Sequence, residues 1–353
     1  AKTHYYGGIR KYQWLSRPLA LHGVIIRENG ERIDVCVGEN PGEPVFCVAD
    51  LLPHLAQKQS GQTVKEAFEG EKLNVILGHT PAVTEEEKEE DTDPVKQALL
   101  EILHAKYGIC EEDLITAELE VVPAGPAQYV GFDKGLIGAY GHDDRICVFT
   151  ALEAFLESGD EGPAKALVFW DKEEIGSDGA TGASSRFLQY CIEDIVRAWE
   201  PQTPASHVLL ASRALSSDVT AAIDPDFQDL HEKQNSARLG YGPCFCKFTG
   251  SRGKYGASEA DAEFFASLRG LFNANDIPWQ VAELGKVDTG GGGTVALFLA
   301  AWGMRVIDLG PALLAMHSPF ELASCADVYA TKEAYRLFLS WADEPVSTRR
   351  AGL

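Results

Sequence analysis

Long hydrophobic runs and clusters of basic residues are both missing from this 353-residue sequence. The longest apolar stretch, from Val295 to Met304, is far shorter than the roughly twenty residues that a membrane-spanning helix needs. Lysine and arginine total 31 against 53 aspartates and glutamates, which gives a formal net charge of -22. The sequence therefore predicts no membrane span, and it argues against nucleic acid and anionic membranes as partners.

Cysteine is too sparse for a secreted disulfide scaffold. The eight cysteines are spread along the chain, and most lie in apolar runs where a thiol behaves as a small hydrophobe. We therefore expect reduced thiols and a cytoplasmic protein. Cys244 and Cys246 are the one close pair, and their spacing places them on one side of a strand, which favours a structural role over metal binding or redox chemistry.

The length favours two domains, and the sequence pattern changes near Leu114. Before that point, two strand-like runs, Leu19 to Arg27 and Arg32 to Val37, flank the dipeptide Asn29-Gly30, which is a strong hairpin signal. An acidic run at 85–94 indicates a solvated loop that ends where a helix starts. Residues 1–114 are thus predicted to form a β-rich domain.

From residue 115 onward, strands, glycine-bearing loops and helices alternate. Strands are predicted at 119–122, 135–140, 166–170, 207–212 and 305–309, and helices at 145–156, 182–199, 258–275 and 294–302. Alternation of this kind indicates a mostly parallel sheet with helices on both faces. Residues 115–353 are thus predicted to form an α/β domain.

Acidic residues and one histidine follow the predicted strand ends. These positions are Asp143, the pair Glu173 and Glu174, Asp218, and His317. In open α/β sheets, ligands bind in the crevice beyond the carboxyl ends of the strands. Adjacent carboxylates repel each other there unless a cation or a proton intervenes. Carboxylates with one imidazole are suitable ligands for zinc, manganese or cobalt, and two ions sharing one carboxylate are a common hydrolytic arrangement.

Each of these residues also has an ordinary structural interpretation. Asp144, next to Asp143, could be a helix N-cap, and Asp218 could be a loop acid. The glutamate pair could belong to a solvated turn, and His317 could be a core histidine with its hydrogen bonds satisfied. The metal-site hypothesis rests on the convergence of all of them at one edge of one sheet.

Six ordered motifs resemble the aspartyl aminopeptidase family of dinuclear zinc exopeptidases, in its bacterial branch. The motifs are His142-Asp-Asp-Arg145, Asp171-Lys-Glu-Glu-Ile-Gly-Ser177, Ser216-Ser-Asp-Val219, Gly250-Ser-Arg-Gly-Lys-Tyr-Gly256, Asp288-Thr-Gly-Gly-Gly-Gly-Thr294 and Ala315-Met-His-Ser-Pro319. The resemblance covers nearly the whole chain. It implies a zinc exopeptidase-like α/β domain carrying an inserted β-rich dimerisation domain, here residues 1–114, and dimers that assemble into a dodecamer.

The resemblance also implies an activity and a role for each site residue. The activity is that of a metal-dependent aminopeptidase, which releases N-terminal residues from peptides with a metal-activated water. Asp143 is expected to bridge two divalent metal ions, most often zinc, with Asp144 supporting it. Glu174 and His317 are expected to complete one metal site.

Asp218 is expected to bind the other metal ion, and Glu173 to act as the general base. For an acidic substrate side chain, Lys247 or Lys254 is the expected cationic partner, although each could be an ordinary exposed lysine.

Two departures from the family pattern lead to further expectations. The family has a His-x-Asp motif ahead of the inserted domain, and none occurs here before residue 15. We therefore expect the natural protein to carry an N-terminal extension with this motif, and one metal site to be incomplete within residues 1–353. Thr220 to Asp224 stand where eukaryotic members have histidines, which leaves the preference for acidic substrates open.

Two other functions compete with the aminopeptidase. A metal-dependent deacylase of the same architecture would use the same base and metals on a different amide. A metal-poor structural subunit is the alternative from another class, because one expected metal ligand is absent from the sequence.

Overall fold

A computed structural model describes residues 1–82, 93–160, 162–250, 252 and 255–342. Lys254 and the predicted acidic loop up to residue 92 lie outside these ranges. The chain divides into two compact units, Ala1–Ala127 and Gln128–Leu353.

The first unit contains an antiparallel sheet with the strand order β2-β1-β3. Its strands are β1 (Leu19–Ile26), β2 (Arg32–Val37) and β3 (Glu118–Pro123). The predicted hairpin is confirmed, since Gly30 supplies the positive φ of 83° that its turn requires. β3 had been predicted as a strand of the α/β part. It pairs instead with β1, which is why the first unit extends past Leu114.

Outside residues 83–92, the first unit contains three α-helices: α1 (Gln57–Ser60), α2 (Val64–Ala67) and α3 (Pro94–Tyr107). The start of α3 follows from its sequence, because the Asp93 carboxylate accepts the N–H groups of Val95 and Lys96, and Pro94 fits the first turn. Gly108, in the left-handed conformation, ends the helix.

The second unit contains two mixed sheets among its described residues, with the strand orders β6-β10-β8-β9 and β4-β5-β12-β11-β7. The strands are β4 (Gln128–Val130), β5 (Leu136–Ala139), β6 (Arg213–Ser216), β7 (Thr220–Ala221), β8 (Cys244–Cys246), β9 (Gln280–Val281), β10 (Arg305–Gly310), β11 (Ala312–Leu314) and β12 (Glu321–Ser324). The α/β class is confirmed. The pairing is less parallel than predicted: β6–β10, β7–β11 and β8–β9 are parallel, whereas the short connection between β11 and β12 makes that pair antiparallel.

The described residues of this unit form six α-helices: α4 (His142–Glu157), α5 (Phe187–Trp199), α6 (Ala205–Ala211), α7 (Ala262–Ala274), α8 (Ala296–Ala301) and α9 (Cys325–Ser340). The largest core cluster joins β8 and β10 to α7 through the buried residues Phe245, Phe264, Phe272 and Leu309. No helix in the described part of the chain is long and apolar enough to cross a membrane. All eight cysteines lie in described ranges and are free.

Two predicted strands differ from the structure. Residues 207–212 belong mainly to helix α6, and the strand begins after it at Arg213. Residues 166–170 form no ladder with other described residues. Leu167 packs on one core cluster while Val168 and Trp170 pack on another, but Ala166 and Phe169 are exposed, so the segment is less covered than predicted. Periodicity cannot separate a short apolar strand from a buried helix, which explains the first error.

Candidate metal centre

Asp143 and Asp144 lie where β5 turns into α4. Gly141 makes the turn in the left-handed conformation. The backbones of both aspartates are non-helical, and the peptide bond between them is cis. The side chain of Asp143 is only 11% exposed. Both carboxylates thus stand ahead of the regular helix rather than on its outer face.

Glu173 and Glu174 lie on a single turn of 3-10 helix shortly after residues 166–170. Lys172 and Gly176, both with positive φ, bound this turn. Asp171 fixes its base, because its carboxylate accepts the Thr181 hydroxyl at 3.0 Å. The two glutamates are therefore held by a closed loop and not by a freely moving surface turn.

His317 lies in the connection between β11 and β12. Its backbone is in the left-handed region, with a φ of 62°, which is uncommon for a residue other than glycine. The Ser318 N–H donates to the carbonyl of Ala315 at 3.0 Å and closes the turn. The imidazole points towards the acidic residues and is not a core histidine.

The structure brings most of the predicted residues into two adjoining groups. In the first group, His317 Nε2 lies 3.0 Å from Asp143 Oδ2 and 3.3 Å from Glu174 Oε1. One potential ligand atom from each of these three residues lies within 4.8 Å of the others. Asp143, Asp144 and Asp218 form a second group that meets the same limit. Asp143 is common to both.

Burial and mutual repulsion raise the pKa values of the glutamates. For Glu173, burial is the larger cause, followed by the charges of Glu174 and Asp143, and its pKa rises to about 7. His317 opposes this rise. Burial and the charge of Asp143 also raise the pKa of Glu174. A group of acids with raised pKa values in one cleft is typical of a functional site.

The second group is more crowded still. Burial raises the pKa of Asp218 well above its ordinary value, and the charges of Asp144 and Asp143 add to the effect. Burial likewise raises the pKa of Asp144. Its Oδ1 atom is buried and accepts no hydrogen bond from the residues that the structure describes. Carboxylates arranged in this way fit a divalent cation, which would neutralise the repulsion and give the orphaned oxygen a partner.

Comparison with known proteins agrees with this chemistry. The family described as aminopeptidase I zinc metalloprotease (M18) matches residues 1–339. This chain belongs to the M18 family. The probable M18 family aminopeptidase 1 of Clostridium acetobutylicum is 48% identical over 341 residues, which are 96% of this chain and 72% of that protein. Its counterpart in Thermotoga neapolitana is 50% identical over 344 residues, 96% of this chain and 74% of that protein.

A solved M18 structure has the same fold. The crystal structure of the M18 aminopeptidase of Thermotoga maritima matches with a TM-score of 0.89 at 48% identity, covering 96% of this chain and 74% of that chain. The family resemblance and the zinc exopeptidase-like fold predicted from sequence are confirmed. This M18 protein is a metal-dependent aminopeptidase, and the family match disfavours both the deacylase and the structural subunit.

Lys247 of this M18 aminopeptidase is already engaged. Its Nζ atom lies 2.7 Å from Glu259 Oε1 and 4.4 Å from the centre of the Phe248 ring. The Glu259 side chain is 61% exposed, so the ion pair is partly solvated and weak.

Two buried acids of this M18 aminopeptidase were not singled out from its sequence. Burial raises the pKa of Asp308 in β10 to about 7, although the nearby hydroxyls of Ser216 and Thr294 act to lower it. Burial also raises the pKa of Glu321 in β12 to about 7, although hydrogen bonds from the N–H groups of Asp143 and His317 act to lower it. Asp308 could have been found from the sequence, because it is a charged residue within the apolar run from Val306 to Leu309. Glu321 follows the last motif by two residues, and no spacing rule marks it.

Proposed function

We propose that this M18 aminopeptidase cleaves peptides at a centre of two zinc ions that share Asp143. Glu174 and His317 would complete the site of one ion, and Asp218 would bind the other. Asp144, beside Asp143, would support the shared ligand. The observation that carries the proposal is the membership of Asp143 in both groups of potential ligands. The donor set of the first group, one imidazole and two carboxylates, is one that zinc accepts in catalytic sites.

Glu173 would be the general base. It stands next to Glu174, belongs to neither ligand group and has a pKa of about 7. A base of this strength can take a proton onto its carboxylate from the attacking water and give it to the departing amine. Bound zinc would supply Lewis-acid activation of the water and of the scissile carbonyl.

The two ions should bind with different affinities. The first group includes the imidazole of His317, whereas the described residues of the second group are all aspartates. Zinc prefers nitrogen and sulfur ligands, so a site made only of carboxylates is the weaker one. We propose that one ion binds tightly and the other exchanges readily in residues 1–353.

Zinc titration combined with two substrate classes tests the proposed centre. Residues 1–353 are stripped with chelator and reloaded, and bound zinc is measured against hydrolysis of amino-acid nitroanilides and of N-acyl amino acids. We expect nitroanilide hydrolysis that depends on zinc and two binding steps of unequal affinity. Preferential hydrolysis of N-acyl amino acids would indicate the deacylase, and absence of zinc binding would indicate the structural subunit.

We also propose that Lys247 or Lys254 contacts an acidic substrate side chain. Lys247 can exchange its ion-pair partner Glu259 for a substrate carboxylate, because a partly solvated ion pair contributes only about 0–1 kcal/mol. In Lys247→Ala, the rate for an aspartyl substrate should fall relative to a leucyl substrate, while the exposed Lys233→Ala leaves that ratio unchanged. An unchanged ratio in both variants removes Lys247 and leaves Lys254 to be tested in the same way.

The assembly is a further part of this proposal. We expect a cytoplasmic homo-oligomer of dimers that reaches a dodecamer. A related fold, that of mApe1 from Saccharomyces cerevisiae, has been solved as a dodecamer. Light scattering on the purified protein measures the mass directly, and a monomer at working concentration would contradict the proposed assembly.

A further inference from the structure

Glu321 connects the two loops that carry Asp143 and His317. Its side chain is buried, with only 2% of the residue exposed. The Asp143 N–H donates to Glu321 Oε2 at 3.2 Å, and the His317 N–H donates to Oε1 at 2.7 Å. One carboxylate therefore holds the backbones of two residues that are far apart in sequence.

The sheet places Glu321 where it can reach both loops. It is the first residue of β12, which pairs with β5, and there Glu321 lies opposite Ala139, just ahead of the turn to Asp143. β12 also pairs with β11, and the connection between them contains His317. The Phe320 ring, just ahead of β12, lies over Gly138 of β5, where a Cβ atom would come within 2.3 Å of it. The backbone of Glu321 is thus held by the ladder in addition to the two hydrogen bonds of its side chain.

The hydrogen bond from the His317 N–H to Glu321 stabilises an uncommon backbone conformation at His317. His317 adopts a left-handed backbone conformation that non-glycine residues rarely take. A Glu321 carboxyl oxygen that accepts the His317 N–H at 2.7 Å favours this conformation over extended alternatives that would turn the imidazole away.

We propose that Glu321 is a positioning residue that sets the separation between the Asp143 carboxylate and the His317 imidazole. This inference rests on the proposed function, in which both residues bind zinc. Groups that orient metal ligands typically change metal affinity by about 10- to 100-fold when they are replaced. Glu321 would do so through the backbone of the ligands rather than through their side chains.

The chain offers a matched control in Asp327. Its carboxylate also accepts two backbone N–H groups, from Gly240 at 2.6 Å and from Gly242 at 2.7 Å. Asp327 is buried as deeply as Glu321. It anchors the loop before β8 and holds no candidate ligand, so Asp327→Asn removes the same chemistry without touching the metal centre.

The experiment compares zinc affinity with the stability of the zinc-free protein. Glu321→Gln keeps the shape of the side chain but can accept only one of the two N–H groups, since the amide nitrogen is itself a donor. In this variant, we expect the Kd of the tighter zinc site, measured by chelator competition, to rise about 10- to 100-fold. Asp327→Asn should lower the thermal midpoint of the zinc-free protein and leave the zinc Kd within about twofold of wild type.

Two further variants separate the possible failures. If Glu321→Gln does not fold, Glu321→Asp keeps the carboxyl group but is one methylene shorter, and its zinc Kd should also rise. If the folded Glu321 variants lose thermal stability and keep the wild-type zinc Kd, this inference is wrong and Glu321 is merely structural. Asp143→Ala serves as the reference: zinc retained at wild-type affinity in that variant would overturn the proposed ligands themselves.

Discussion

His317 Nε2 lies 3.0 Å from Asp143 Oδ2, although one residue follows β11 and the other follows β5. β12 separates these strands in the sheet and runs antiparallel to both. β5 and β11 therefore run in the same direction, and their carboxyl ends meet at the same edge. The meeting of the two side chains is a consequence of strand direction, achieved here in a mixed sheet.

The first prediction concerns Glu173. Glu173→Gln removes the proposed proton acceptor and leaves the shape of the side chain and both ligand groups intact. We expect kcat on a nitroanilide substrate to fall by about 10²- to 10⁴-fold, the usual contribution of a general base. Zinc per chain should be unchanged by atomic absorption. The exposed Glu200→Gln is the isosteric control and should keep wild-type kcat. A Glu173→Gln enzyme with full turnover would refute the assignment.

Asp143→Ala should affect zinc as well as turnover. Because Asp143 belongs to both groups, its loss should weaken both sites. Zinc at about 100 times its Kd should stabilise the wild-type protein by about 2.7 kcal/mol, and this gain should largely disappear in the variant. Thermal melts with and without zinc measure it. The exposed Asp226→Ala should keep the full gain, and an undiminished gain in Asp143→Ala would contradict a shared ligand.

The largest core cluster, which is rich in aromatic residues, should dominate the stability of the second unit. Phe245 is fully buried, and its ring centre lies 4.9 Å from that of Phe265 and 5.4 Å from that of Phe272. Phe245→Ala should cost about 3–5 kcal/mol of unfolding free energy, because it removes apolar contacts and leaves a cavity. Urea unfolding measures this loss. Phe227→Ala, at an exposed position, should stay within about 0.5 kcal/mol of wild type. If both variants lost the same unfolding free energy, the Phe245 cluster would not be the main source of stability.

Acid should weaken one turn of the first unit. The Glu43 carboxylate accepts the N–H groups of Asn40 and Gly38, which lower its pKa from 4.5 to about 2. The folded pKa is below the unfolded one, so this stabilisation is complete above about pH 4.5 and is lost as the pH falls through 2. The difference in urea stability between wild type and Glu43→Gln should therefore shrink on acidification.

The exposed Glu71→Gln is the control for this pH dependence. Its difference from wild type should be small at every pH between 3 and 7. A Glu43→Gln difference that stayed constant over this range would show that the carboxylate charge does not stabilise the turn.

Sequence alone predicted where the acids and the histidine would gather, because strand ends are visible in apolar runs. The same reasoning misassigned 207–212, where a run this short fits a helix turn or a strand equally well. It also passed over Glu321, whose hydrogen bonds go to backbone N–H groups. Backbone donors occur at every residue, so such bonds leave no spacing pattern, and only the fold reveals them.

The site draws its side chains from separate stretches of the second unit, between Asp143 and His317. No hairpin or single helix contains both members of the closest contact, so neither kind of local element forms that contact on its own. When zinc ligands are distant in sequence, the chain loses entropy on closing the long loops between them, and this loss opposes zinc binding until the fold has formed. Tight zinc capture should thus come late in folding, after β5, β12 and β11 have paired, and zinc release should report the loss of that sheet as a whole.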